Sequence, residues 1–202
     1  GRGKELLKTA HWQWSHSEEI PGKGVVKLGK RNILNNFCIG TRGSETTCTR
    51  CHIGYGFSDQ HFDFSNEKNI DCLVCHDQSG TYKKGTTTAG MPDPSVDLNV
   101  VAQSISQGAE PPRKNCIACH AFAGGGDGVK RGDLSAALVD NADPHFDVHM
   151  NADANVQCQD CHVFQEHKTI GKGSDVRPTD NLSGGSRVRY VTCHQGMDSG
   201  SG

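Results

Sequence analysis

Eight of the ten cysteines fall into four identical five-residue frames. They are Cys48-Thr-Arg-Cys51-His52, Cys72-Leu-Val-Cys75-His76, Cys116-Ile-Ala-Cys119-His120 and Cys158-Gln-Asp-Cys161-His162. Each reads C-x-x-C-H, the attachment pattern of c-type haem. Residues at i, i+3 and i+4 share one face of a helical turn. Two thiols there can form thioethers with the two vinyl groups of a porphyrin, and the imidazole that follows reaches the iron from the same side. Structural zinc does not need a histidine after every second cysteine. A thioredoxin-like redox motif uses one such pair, not four. A disulfide framework leaves the histidines without a role.

A fifth stretch, Tyr190-Val-Thr-Cys193-His194, keeps the frame but puts tyrosine where the first cysteine belongs. It reads either as a haem held by one thioether or as an incomplete motif with a spare thiol and a surface histidine. Cys38 is the other thiol outside a frame, and in an oxidising compartment Cys38 and Cys193 could pair. Beyond the five motif histidines stand His11, His16, His61, His145, His149 and His167. An iron that does not bind substrate needs a second axial ligand, and histidine is the expected one. His11, His149 and His167 are the first choices, then His145, His61 and His16. Met91, Met150 and Met197 are the only methionines, and Met150, beside His149, reads as packing.

The rest of the chain must position these groups with few aliphatic residues. Leu, Ile, Val and Phe together supply 38 of 202 residues, about 19%, below the level at which an ordinary core becomes doubtful. Covalently held porphyrins can take the place of that core, so the apo chain is expected to be largely unfolded, as in small metal-dependent domains. Formal net charge is −2, with 21 basic and 23 acidic residues, which gives no basic footprint for nucleic acid. No apolar run is long enough for a transmembrane helix. The opening residues lack the apolar region of a signal peptide, as in a mature form or a chain never exported.

The expected fold is mostly irregular, with short α-helices, little or no β-sheet and covalently bound haems as its core. It is read as one multihaem domain over 1–202, whose C-terminal segment 171–202 is weakly structured. Residues 3–14 predict an amphipathic helix with Leu7, His11 and Trp14 on one face. Pro94 to Gln107 predicts another, with Leu98, Val101 and Ile105 on one stripe and Gly108 as a stop. A third, short helix is read over Asp133–Leu138. Turn-rich stretches fill Gly80–Pro92, Ala123–Gly132 and Gly171–Ser186. The Gly124–Gly128 run lacks the ending of a phosphate loop and reads as a loop passing close to haem edges.

Several stretches together resemble the octahaem tetrathionate reductase-like cytochromes. They are Cys38-Ile-Gly, Cys48 to Gly56, Phe62 to Asn66, Asp71 to His76, Asn115 to His120 with the glycine-rich Gly124–Lys130, Asp147 to Met150, and His167 to Lys172. The resemblance covers most of this chain and about the first half of such a protein. It implies a haem near the start ligated distally by lysine, leaving a site that can reduce sulfur or nitrogen oxy-species. Carried over, that haem is the one on Cys72, Cys75 and His76, and the lysine is Lys83 or Lys84. Asn35 and Cys38 look like the polar residue and cysteine near the site, and His11, His149 and His167 look like distal histidines. The later haems are absent here and the fifth motif has lost a cysteine.

Two functions follow. The first is electron transfer through six-coordinate irons, exchanging with other redox proteins or extracellular acceptors. It extends to a filament in which a spare histidine ligates a haem of the next subunit. The second is reduction of tetrathionate, nitrite or hydroxylamine at a lysine-ligated haem, with Lys83 or Lys84, Cys38 and Asn35 as its site. A third reading makes the chain a piece of a longer reductase. Histidine count and shortness favour electron transfer, and haem attachment implies export to the periplasm or the cell exterior.

Overall fold

The protein is described by a computed structural model, over residues 1–32, 40–106, 109–122, 126–128, 134–140, 143–170 and 194. Asn35, Cys38 and Cys193, and the segment 171–202 apart from His194, lie outside the described residues, as do parts of the Gly124–Gly128 run.

Short helices joined by turns dominate. In chain order they are α1 (Arg2–Leu6), α2 (Ala10–Gln13), α3 (Glu45–Cys48), α4 (Leu73–His76), α5 (Leu98–Ser104), α6 (Arg113–His120), α7 (Ala137–Asp140) and α8 (Cys158–Cys161). Two small antiparallel hairpins accompany them: β1 (His16–Ile20) with β2 (Gly24–Leu28), and β3 (Val163–Gln165) with β4 (Lys168–Ile170).

The single helix expected over 3–14 is broken in two. Thr9 is the reason: its backbone leaves the helical region (φ −88°, ψ 158°), and its hydroxyl accepts from the Trp12 amide at 3.3 Å and donates to the Leu6 carbonyl at 2.8 Å. A threonine hydroxyl that offers the backbone an alternative partner favours a cap over a helix interior. Trp14 then closes α2 in the left-handed region (φ 49°), so Leu7, His11 and Trp14 do not share one continuous face.

The helix read over 94–107 shortens to α5, because the Asp97 carboxylate accepts from the Asn99 and Val100 amides and starts it there. Val101 is buried, while Leu98 and Val100 of α5 are exposed. The helix expected at Asp133–Leu138 begins at Ala137 instead. Leu134 is drawn into a parallel bridge with Ala121, its amide donating to the His120 carbonyl at 2.8 Å. The β1–β2 hairpin was not expected. Its strands, His-Ser-Glu-Glu-Ile and Gly-Val-Val-Lys-Leu, lack a clean alternation, and Val25 is 71% exposed. Its order comes from backbone pairing in the register Glu18 to Val26.

The side-chain core is small and aromatic. Trp12, fully buried, packs with Ile53, Ile70 and Val74, and Leu6, Leu7, Phe62, Phe64 and Tyr82 lean on that cluster. The Trp12 indole N–H donates to the Phe64 carbonyl at 2.7 Å, which fixes the ring's direction. Gly54 lets this happen: a Cβ there would stand 2.7 Å from the Trp12 ring and 2.9 Å from His52 Nδ1.

Candidate functional site

Each frame is held by a local helical turn. In the second, Cys72 is the N-cap of α4, and Asp71 just ahead accepts from the Leu73 and Val74 amides at 3.0 and 3.1 Å. The His76 amide donates to the Cys72 carbonyl at 3.0 Å, one full α-turn back. The third frame lies entirely on α6, with Cys116, Cys119 and His120 in its last two turns. The fourth forms α8, whose N-cap Gln157 and third residue Asp160 make a reciprocal capping box. The first frame differs: α3 passes into a 3-10 turn over Thr49–Cys51, and the His52 amide donates to Thr49, not to Cys48. His52 is therefore extended (φ −78°, ψ 139°) and turned inward.

No disulfide joins any of the eight frame cysteines. The thiols of Cys51 and Cys119 lie in hydrogen-bonding reach of each other, and so do those of Cys116 and Cys158. Asn115, beside Cys116, donates from its amide to the Cys75 and Asp77 carbonyls at 2.7 and 2.9 Å. Gln159 of α8 donates to the Pro111 carbonyl at 2.6 Å, just before α6. The third frame thus touches the first, second and fourth.

Two frame histidines face histidines distant in sequence. His76 faces His167, and His120 faces His11, each with ring centroids 6.3 Å apart. A metal–imidazole nitrogen bond is about 2 Å, and the ring centre lies about 1 Å beyond the nitrogen, so two imidazoles across one metal place their centres about 6 Å apart. The donor set at frames two and three fits an iron held by two histidines on this measure. His76 and His120 titrate below the usual imidazole value, chiefly through desolvation and next through the facing His167 or His11. A metal ligand must be neutral, so that direction also fits.

His167 carries a further mark. Its Nδ1 lies 2.8 Å from the Glu5 carboxylate, and that contact is the largest cause of the lowered Glu5 pKa. An imidazole that gives one N–H to a carboxylate is oriented with its other nitrogen available for metal. A third pair joins His149 to His194, at 6.1 Å.

The first frame fits by its thiols but not by its ring as placed. His52 is fully buried, and its Nε2–H donates to the Trp12 carbonyl at 2.6 Å, leaving buried Nδ1 without a partner. Trp12, Trp14, Phe57, Phe62 and Phe64 surround it with ring centroids 4.9–5.8 Å away. That wall desolvates the ring and lowers its pKa to about 4.

The remaining sequence candidates are scattered. His16 sits on β1 opposite Leu28. His61 and His145 stand in exposed turns, their amides held by Asp59 and Asp143. His162 is exposed at the end of α8. Lys83 is 60% exposed and lies 3.7 Å from the Asp93 carboxylate.

Lys84 is buried, and its ammonium meets Asp71 at 3.2 Å and the His52 and Gly54 carbonyls at 2.5 and 3.0 Å. Three acceptors use its three donors. The sequence reading missed Asp71, Tyr55, Tyr82 and Asn115. Only Asp71 left a local signal, an acidic residue just before a helical turn. Among the described residues no three His, Cys, Asp or Glu side chains converge as a structural zinc site requires, and no helix is long and apolar enough to cross a membrane.

No family model matches the chain. It is 31% identical over 211 residues to an uncharacterized protein of Archaeoglobus fulgidus, spanning 82% of this chain and 70% of that one. Its fold matches the crystal structure of octahaem cytochrome c from Shewanella oneidensis with a TM-score of 0.74 and 39% identity. That match covers 84% of this chain and 36% of the octahaem chain, so this chain spans just over a third of its structural relative. Short helices, little sheet and four C-x-x-C-H turns, on a backbone shared at this identity, place the chain among the multihaem cytochromes c.

Proposed function

We propose that the chain is an electron-transfer domain carrying c-type haem at its four complete frames, with histidine on both faces of the irons. The observation that carries this is the pair of facing rings, His76 with His167 and His120 with His11, at the spacing one metal needs. Cys48 and Cys51, Cys72 and Cys75, Cys116 and Cys119, and Cys158 and Cys161 hold the porphyrins. His52, His76, His120 and His162 supply the near axial ligands. At the first frame His52 has to exchange the Trp12 carbonyl for iron. Bound haem supplies one-electron exchange at the iron; the protein supplies ligands, anchoring and the surrounding charge. Because the third frame touches the other three, it is the junction through which electrons cross the domain.

The reductase reading asks for lysine at an iron. Lys84 already gives its donors to Asp71, His52 and Gly54, and Lys83 lies exposed near Asp93. Electron transfer is the reading these placements favour. Haem attachment implies export, and exchange with redox proteins or external acceptors follows. The exposed histidines His61 and His145 support the extension to a filament, in which one copy closes an iron of the next.

The His149–His194 pair suits one more iron, either a haem held by the single thioether of Cys193 or one presented by a neighbouring copy. Intact mass of the purified holoprotein tests the assignment. Four covalent haems are expected from the complete frames, five if Cys193 also carries one. A chain of unmodified peptide mass ends the proposal.

A further inference from the structure

A buried polar knot lies between the first and second frames. Its centre is the Asp71–Lys84 ion pair, 3.2 Å apart with side chains 0% and 4% exposed. The Asp71 carboxylate accepts five donors: the Tyr55 hydroxyl at 2.8 Å, the Tyr82 hydroxyl at 2.5 Å, the Leu73 and Val74 amides, and Lys84. Gly90 closes the knot. Its φ is +80°, and a Cβ there would stand 2.5 Å from the Gly54 carbonyl and 3.5 Å from the ammonium.

A buried ion pair is weak evidence for stability, since desolvation offsets most of its attraction. Its placement points to another use. The ammonium sits on the carbonyl of His52, the histidine of the first frame. The carboxylate holds the first amides of α4, the turn that carries Cys75 and His76. In a water-poor interior each charge acts on its nearer neighbour far more strongly than at the surface. Burial, and next the Asp71 charge, hold the Tyr55 and Tyr82 phenols above their usual pKa, so both remain neutral donors.

We propose that Asp71 and Lys84 are positioning residues that lock the first two frames together and set the potential of the haem at the second. Asp71 lowers that potential, and Lys84 offsets part of its charge. Positive charge near an iron opposes its oxidised, more positive state, and negative charge favours it. The inference rests on the haem reading above.

The test is a redox titration of the holoprotein, followed haem by haem through EPR or NMR signals, with Lys84→Met, Asp71→Asn and the double variant. Lys84→Met, which leaves the carboxylate unopposed, is expected to shift the second haem downward, and Asp71→Asn to shift it upward. The double variant returns it toward the parent value. A purely structural role loosens the same contacts either way, so shifts of the same sign, or no shift at all, overturn the proposal. Tyr82→Phe removes a donor from the carboxylate without changing charge. If the charge variants do not fold, it stands alone: a downward shift at the second haem supports the proposal, and an unmoved potential overturns it. A parent protein without c-type absorbance instead overturns the haem reading itself, a separate failure.

Discussion

His11 stands beside the buried Trp12 on a four-residue helix, and its ring meets that of His120, far from it in sequence. The sequence marked His11 as a distal-ligand candidate but not His120 as the histidine it meets. The frames themselves were legible because their chemistry is local, three residue types within five positions. Lys84 was not, since its burial depends on Asp71, His52 and Gly54 converging from separate turns. Removing His11 tests the pairing at this scale. In His11→Ala the third-frame iron is expected to lose its second axial ligand and become five-coordinate. The absorption and EPR spectra then gain one high-spin component per chain, and carbon monoxide binds to one reduced haem. Spectra that stay wholly low-spin place another ligand there.

Among the elements, α6 has the widest reach, and side chains at its start secure it. Arg113 is buried and donates to the Leu138 and Met150 carbonyls and to Asn155, tying α6 to the segment ahead of the fourth frame. Asn115 ties it to the second frame through the Cys75 and Asp77 carbonyls. Asn115→Ala removes both bonds and leaves two carbonyls short of a donor, at a cost of about 1–3 kcal/mol. Chemical denaturation of the holoprotein should show that loss with the haem count unchanged. An unchanged midpoint means the link to α4 carries no weight.

Helix positions were only half legible. Apolar spacing suggested the segments near 3–14 and 94–107, but the bounds followed the caps at Thr9 and Asp97. The β1–β2 hairpin left no apolar signature because neither strand pattern buries a clear face.

Across the molecule, the shortage of aliphatic residues and the small aromatic cluster around His52 describe the same condition. The chain lacks enough apolar side chains to enclose itself and depends on the attached groups for the rest. The composition made that much readable. How copies meet one another was not, because intermolecular ligation leaves no mark beyond surplus histidines. Negative-stain microscopy over a range of concentrations addresses it directly. Filaments are expected, and they should shorten or vanish when His61 or His145 is changed to alanine. Discrete particles at every concentration leave the monomer as the working unit.

The contact of His167 with both Glu5 and His76 bears on biogenesis. A chain made from its N-terminus exposes the second frame long before His167 exists. Under the proposed ligation, that iron stays open to water or borrowed donors until residue 167 has emerged. The same arrival, by reaching Glu5, latches α1 to the segment that follows the fourth frame. Chains cut short before His167 should retain colour yet remain chemically exposed at the second haem.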